Sequence, residues 1–187
     1  MAAALLASAV GGAVWFLSSR DRPTTTEATP SAPTELAPSG PERTFTEEAV
    51  RAFLGPDPVG PATTAEAILY EEAARPDLAL LLYRHAARRG DPKAAVAIGR
   101  MYDPDGFDPK KSAFAAPDAD QAARFYEQAA EAGDAEAQFR LGRLLLSGRT
   151  AGDSDAERGV VWLGRAADQG HAEARAALER LRQQQVQ

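Results

Sequence analysis

Hydrophobic residues recur at helical spacing through the second half of the chain, and short polar breaks interrupt them at regular intervals. Each break begins with two alanines, followed by two further residues and a glycine, and a polar residue then starts the next apolar segment. The glycines of the three breaks are Gly90, Gly133 and Gly170. They recur about every 40 residues, a period typical of stacked pairs of helices. The pattern therefore predicts an all-α fold, an α-solenoid of antiparallel helix pairs.

Each break has the chemistry of a turn between two helices. Glycine readily adopts the left-handed conformation that ends a helix, and Asp91 and Asp134 follow as N-caps of the next helix. Pro92 suits the first helical position because it needs no amide donor there. His171 takes the place of the aspartate in the third break. Helix geometry explains these residues without a ligand, so we assign them structural roles.

Other residues keep a constant offset from the breaks. Leu82, Phe125 and Trp162 each lie one helical turn before an alanine pair, which predicts that they fill equivalent positions between helices. Gly99 and Gly142 each follow a large aliphatic residue on the other side of a break. A helical position without a side chain lets two helices approach closely, so we predict tight helix packing at both glycines.

One complete unit reads Asp118-x-x-x-Ala122-x-x-Phe125, Ala129-Ala130-x-x-Gly133, Ala137-x-x-x-Leu141-Gly142. This pattern resembles the Sel1-like repeat family, a short relative of the tetratricopeptide repeats, and the resemblance covers residues 76 to 182. It implies stacked helix pairs whose first helices line a concave face. Some cysteine-rich relatives are associated with penicillin binding or weak lactamase activity. This chain has no cysteine, so we do not transfer that activity to it.

The limits of the repeat domain follow from where the pattern stops. We expect repeats over residues 76–184 and a disordered tail at 185–187. In the last unit Glu179 and Arg182 replace a glycine and an aromatic residue, which gives the polar outer face that a terminal repeat needs. Residues 45–75 contain helical segments that come too close to the first repeat for the usual loop. We expect N-terminal helices there that form an irregular cap.

The N-terminal segment is uncharged and apolar. Residues 2–19 contain no charged side chain, and a helix of that length spans about 27 Å, close to the thickness of a bilayer's hydrocarbon core. We expect residues 1–20 to be a transmembrane anchor or a signal sequence. We favour the uncleaved anchor because cleavage at Ala9 would leave too short an apolar stretch. Residues 21–44, rich in Pro and Thr, have little to bury and predict a disordered linker.

Charge and linker composition disagree on the orientation of such an anchor. Arg20 and Arg22 follow the apolar segment, and the positive-inside rule alone would place the repeats in the cytoplasm. A linker rich in Pro and Thr is instead typical of bacterial envelope proteins that hold a domain away from the bilayer. We expect a single-pass protein of the bacterial inner membrane with a periplasmic repeat domain, and the cytoplasmic face remains the alternative.

The sequence contains no recognisable catalytic or metal-binding motif. It has no Ser-x-x-Lys, Gly-x-Ser-x-Gly or phosphate loop, and neither histidine begins a His-Glu-x-x-His. We therefore expect no enzymatic activity, no cofactor and no metal site. The net charge is −6, and the repeat region is nearly neutral. This distribution argues against nucleic acid as a partner, because nucleic-acid binding needs a basic patch or stripe.

Arginines recur on the predicted first helix of successive units. Arg100, Arg143 and Arg180 follow predicted core residues by two positions, so they should point away from the core. Arg140 lies one turn before Arg143 on the same face. Such a row is able to clamp the carboxylates of an acidic partner segment through bidentate bonds. The alternative is a solvated helix surface or intramolecular pairs with Asp and Glu.

These observations together predict an interaction protein. We expect a membrane-tethered scaffold, or adaptor, of the bacterial cell envelope that binds a protein partner on the concave face of the repeat stack. One alternative is a structural subunit of a membrane complex, held through the N-terminal anchor. The other is a peptidoglycan-associated envelope protein that binds a ligand.

Overall fold

The computed structural model of the protein describes residues 44–185, which contain eight α-helices and no strand. The expected membrane segment and nearly all of the expected linker lie outside these residues, as do the last two residues of the tail. No helix within 44–185 is long and apolar enough to cross a membrane. The helices are α1 (Glu47–Leu54), α2 (Gly60–Glu72), α3 (Pro76–Arg88), α4 (Pro92–Tyr102), α5 (Ala119–Glu131), α6 (Ala135–Leu146), α7 (Asp155–Asp168) and α8 (Ala172–Gln185).

The helices stack in pairs along the chain. Helix α2 packs against α3, α4 against α5 and α6 against α7, and the second helix of each pair also packs against the first helix of the next. Helix α8 packs against α7 and ends the described array. The first helices are also neighbours, because α2 contacts α4 and α4 contacts α6. The predicted all-α solenoid of antiparallel helix pairs is confirmed, and we call the surface formed by α2, α4 and α6 the first-helix face.

The array of pairs begins earlier than the sequence pattern indicates. The segment assigned to an irregular cap contains α2, which packs against α3 and α4 in the way that α4 packs against α5 and α6. Only residues 73–75 join α2 to α3. This short link is possible because Ala74 takes a left-handed conformation, with φ of 56°, and the amide of Arg75 donates to the carbonyl of Tyr70. Helix α1 lies against α3.

The three breaks share one backbone geometry. Gly90, Gly133 and Gly170 have φ values of 82°, 90° and 93°, the left-handed region that favours glycine. In each break the amide of the residue after the glycine donates to the carbonyl of the first alanine of the pair. In the second break, for example, the amide of Asp134 donates to the carbonyl of Ala129 at 3.1 Å. The carboxylate of Asp134 also accepts from the amide of Ala137 at 2.8 Å and so caps α6.

Two helical glycines mark the closest contacts within the pairs. A Cβ added at Gly99 would lie 2.5 Å from Cε1 of Tyr126, and one at Gly142 would lie 2.8 Å from Cγ of Leu163. Both distances are far below van der Waals contact, so α4 and α6 can lie this close to their partner helices only without a side chain there. Tyr126 and Leu163 are completely buried.

The three residues predicted to fill equivalent positions differ in burial. Leu82 is completely buried and Trp162 is 8% exposed, whereas Phe125 is half-buried. Phe125 stacks on Tyr102 with ring centroids 6.1 Å apart. The surroundings of Phe125 differ from those of the other two residues because a long connection, residues 103–118, follows α4 and covers part of the α4–α5 helix pair.

Candidate functional site

A groove opens on the first-helix face between α2 and α4. One wall comes from α2, the other from α4, and part of the rim comes from residues 103–118. Its volume is about 680 Å³, which falls within the range of ligand-binding clefts. We call it the α2–α4 groove; its lining residues include Ile68, Glu71, Tyr83, Lys93, Val96, Ala97, Arg100, Lys110 and Lys111.

Apolar side chains cover the middle of the groove. Ile68 on α2 is 44% exposed, and Val96 and Ala97 on α4 are half-buried. Below them Tyr83 is almost completely buried, and its hydroxyl donates to Oε2 of Glu71 at 2.7 Å. Burial and this hydrogen bond raise the pKa of Tyr83, so its hydroxyl stays a donor and holds the Glu71 carboxylate in place.

Four cationic side chains surround this apolar centre. Lys93 and Arg100 come from α4, whereas Lys110 and Lys111 come from residues 103–118. None of the four makes an ion pair with any residue in the range 44–184. The groove therefore combines an apolar floor with four cations that form no ion pair among the described residues, and two carboxylates, Glu71 and Glu72, also line it.

Residues 103–118 are held firmly against the helix pairs. The hydroxyl of Tyr126 donates to Oδ2 of Asp103 at 2.8 Å, and both side chains are buried. Ser112 donates from its hydroxyl to the carbonyl of Met101 at 2.8 Å. The rings of Tyr102 and Phe114 stack with centroids 3.7 Å apart. These contacts place Lys110 and Lys111 at the rim of the groove.

Comparison with known proteins identifies the repeats. The model of the Sel1 repeat family matches residues 111–134 and 135–171, the second of which covers α6 and α7 with the break that follows them. Residues 111–171 therefore contain two Sel1-like repeats. The predicted family is thereby confirmed, and Sel1 repeat proteins act as protein–protein interaction scaffolds that are typically non-catalytic.

Solved structures support the same assignment. A Sel1 repeat protein from Oxalobacter formigenes is 26% identical, with a TM-score of 0.56 over 71% of this chain and 96% of that one. A protective antigen present in uropathogenic Escherichia coli strains, which displays an SLR fold, has a TM-score of 0.58 and 24% identity. That match covers 72% of this chain but only 28% of the antigen, so it shows the fold alone. No curated protein matches the sequence.

The four arginines predicted to bind a partner lie in different environments in this Sel1-like array. Arg100 lines the α2–α4 groove, and it shares a small adjoining cavity of about 90 Å³ with Arg140. Arg140 also pairs with Glu136 of its own helix at 2.6 Å. Arg143 pairs with Asp105 at 2.8 Å, and Arg180 donates to the carbonyl of Ala176 at 3.2 Å. The expected row is thus partly used in intramolecular contacts, and only Arg100 joins the cationic set of the groove.

The sequence pattern gave no reason to group Lys93, Lys110 and Lys111 with Arg100. Lys93 is two helical turns before Arg100, and the two other lysines come from residues without a repeat period. The sequence feature that could have indicated this cationic cluster is the adjacent lysine pair, which lies in an insertion between repeat helices. Their position near α4 depends on contacts made by Asp103 and Ser112 with α4 and α5.

Two further groups bear on the expected chemistry. Among the described residues, no three His, Asp or Glu side chains lie close enough together to hold a metal ion. His171 lies in a break between helices, where its Nε2 is 3.0 Å from Oε2 of Glu136 and its ring stacks on Phe139. Glu136 is partly buried, which opposes ionisation, but the hydrogen bond with His171 and the charge of Arg140 lower its pKa.

Asp105 joins residues 103–118 to α6 and supplies a pH-dependent prediction. Hydrogen bonding to Arg149 and the nearby charge of Arg143 hold the pKa of Asp105 below its usual value. A lowered folded-state pKa gives stability that is present above the unfolded pKa of about 3.9 and is lost as the pH falls through the folded value. We expect Asp105→Asn to lower the free energy of unfolding by about 0.5–1 kcal/mol at pH 7. The difference should be smaller at a pH well below the unfolded pKa of about 3.9 than at pH 7.

Urea unfolding of both proteins at the two pH values measures this effect. Asp153→Asn is the matched control, because Asp153 has no hydrogen bond or ion pair with other residues in the described part of the chain. It should change stability little at either pH. An Asp105→Asn deficit that persists unchanged at low pH would show that the charge of Asp105 is not the cause.

Proposed function

We propose that this protein is a non-catalytic scaffold that binds a segment of a protein partner in the α2–α4 groove. The observation that carries the proposal is the apolar floor of Ile68, Val96 and Ala97, surrounded by cations without ion-pair partners among the described residues. Sel1-like repeats act as interaction scaffolds, and the groove lies on the face that their first helices form. It is the face that the sequence predicts for partner binding.

The groove suits a short segment better than a large globular surface. A volume of about 680 Å³ holds several side chains, and its walls belong to packed helices. A preformed site reduces the conformational entropy that binding must overcome on the scaffold side. Ile68 and Val96 can bury apolar area of the partner, while the cations around them can fix its register.

We also propose that residues 2–19 tether the scaffold to a bacterial inner membrane, with the repeats in the periplasm. The support is the uncharged length of this segment and the Pro- and Thr-rich composition of residues 21–44. The cytoplasmic face is the alternative orientation. A tether of this kind would restrict the partner to the neighbourhood of the membrane.

Site-specific photocrosslinking in the native host tests this function. A benzophenone amino acid replaces Ile68 in the groove, and the control replaces Arg124, which is exposed on α5, the second helix of its pair, and does not line the groove. We expect crosslinks from position 68 that map to one segment of one protein and are absent from position 124. Fractionation of the cells then gives the compartment of that partner and tests the proposed orientation.

The alternatives predict other products. A structural subunit would crosslink at position 124 as readily as at position 68, or would join its complex only through the N-terminal segment. A peptidoglycan-associated protein would yield crosslinked muropeptide and no protein. Absence of a protein product specific to position 68, in cells that contain the folded protein, would contradict the proposed groove.

A further inference from the structure

We propose that the segment bound in the α2–α4 groove is acidic, with two carboxylates about three residues apart and an apolar side chain between them. This inference rests on the proposed function of the groove and adds the chemistry of the partner. It follows from the positions of the four cations, the apolar floor and the engagement of the nearby acids.

The geometry of α4 sets the spacing of the carboxylates. Lys93 and Arg100 lie seven positions apart, so they share one face of the helix and are separated by about 10.5 Å along its axis. In the polyproline II conformation, three residues of a peptide span about 9 Å and complete one turn, so side chains three positions apart lie on the same face. A peptide lying along α4 would therefore bring one carboxylate to Lys93 and another to Arg100. Val96 and Ala97 lie between these two cations on the same helix and provide the apolar contact.

The connection after α4 adds positive charge to the rim of the groove. Lys110 and Lys111 line the groove from residues 103–118, and the contacts of Asp103 and Ser112 hold that connection in place. A carboxylate bound in the groove would therefore meet cations from α4 and from the lysine pair. Charge-assisted hydrogen bonds of this kind are stronger than those between neutral groups.

The acids near the groove are largely engaged by other groups. Glu71 accepts from Tyr83 at 2.7 Å, Asp103 accepts from Tyr126 at 2.8 Å, and Asp105 pairs with Arg143 and Arg149. Asp105 is thereby neutralised by two arginines, whereas Glu71 and Asp103 keep their negative charge, and none of the three forms an ion pair with the four groove cations. Glu72 is exposed on the α2 wall and would repel a third carboxylate on that side.

An acidic peptide fits these features better than a nucleic acid does. The apolar floor of Ile68 and Val96 has no role in holding a phosphate backbone, and the repeat region as a whole is nearly neutral. A nucleic acid would need a longer basic surface. A simple anion would use the cations without the apolar floor, so the two can be separated by experiment.

Selection from a random octapeptide library displayed on phage tests the inference with the full-length chain as bait. We expect enriched peptides to carry two Asp or Glu about three positions apart with a Leu, Ile, Val or Phe between them. The best peptide is then synthesised with a fluorescent label and titrated by anisotropy. Replacing its two acids by their amides, or its apolar residue by serine, should each weaken binding at least fivefold. These peptide changes require no protein variant.

Protein variants locate the site. The double variant Lys110→Gln/Lys111→Gln and the single variant Arg100→Gln should each weaken binding at least fivefold. The matched control is Arg84→Gln/Arg124→Gln, which removes two exposed charges from the second helices of two pairs and should leave binding unchanged. Circular dichroism confirms that each variant is folded.

Three results would overturn the inference. They are enriched peptides without acidic residues, peptide binding that is insensitive to the acid-to-amide change, and displacement by pyrophosphate combined with no effect of the apolar residue. The last result would mean a simple anion site. If position 68 still crosslinks to a protein segment that is not acidic, the scaffold function stands and only the charge assignment fails. If position 68 gives no protein product, the scaffold function itself fails.

Discussion

Gly99→Ala should destabilise the protein by about 2–3 kcal/mol, because the added methyl group has no room. Its Cβ would lie 2.5 Å from one carbon of the Tyr126 ring and 2.6 Å from another. The ring cannot easily move aside, since Tyr126 is completely buried and its hydroxyl donates to Asp103. Helices α4 and α5 must therefore separate, and the expected loss exceeds the roughly 1 kcal/mol by which alanine is favoured over glycine in a helix.

Gly164→Ala is the matched control for this substitution. Gly164 lies within α7, and a Cβ added there would meet no atom within 4 Å. The same chemical change should therefore raise the free energy of unfolding by up to about 1 kcal/mol. Urea unfolding of both variants gives the comparison. Equal effects at positions 99 and 164 would show that close packing against Tyr126 does not govern the contact between α4 and α5.

Leu163→Ala should cost about 2–4 kcal/mol, and the loss should fall mainly on the last helices of the array. Leu163 is completely buried and forms a small core with Ala166 and Ala174, separate from the main core of the earlier pairs. It also touches the position where Gly142 lacks a side chain. In a repeat array each unit contacts only its neighbours, so a cavity in a terminal unit loosens that unit first.

Hydrogen exchange under native conditions detects this localisation. We expect the amides of α7 and α8 to exchange faster in Leu163→Ala, with much smaller changes in α3 and α4. Leu81→Ala is the control, because Leu81 lies on the second helix of an earlier pair and is 45% exposed. It should cost less than about 1 kcal/mol. Uniform acceleration across all helices would indicate that the array unfolds as one cooperative unit.

The two predictions concern the same contact in successive pairs. Gly99 faces Tyr126 and Gly142 faces Leu163, so a first-helix glycine meets a large buried residue of the second helix in both pairs. In the earlier pair Tyr126 also fixes residues 103–118 through Asp103, which links this core contact to the rim of the groove. Packing within a repeat therefore positions Lys110 and Lys111 for their proposed role.

Sequence reasoning found the repeats but grouped the arginines differently from the structure. Equivalent spacing placed Arg100, Arg143 and Arg180 on successive first helices, as the structure has them. The repeat spacing carried no information on Asp105, because this residue lies in an insertion. Asp105 pairs with Arg143 and Arg149. Periodicity describes what repeats, whereas the partner of each charge depends on segments that do not repeat.

The helix pairs, their breaks and the Sel1-like family were all predictable from the amino-acid sequence. These features depend on interactions within a few residues, such as the left-handed glycine at position 133 and the cap from Asp134, and local patterns record them directly. Two features were not predictable in this way: the packing of α2 as the first helix of the described array, and the meeting of four cations at one groove. Both depend on non-local contacts, the packing of α2 on α4 and the anchoring of residues 103–118, which no local pattern specifies.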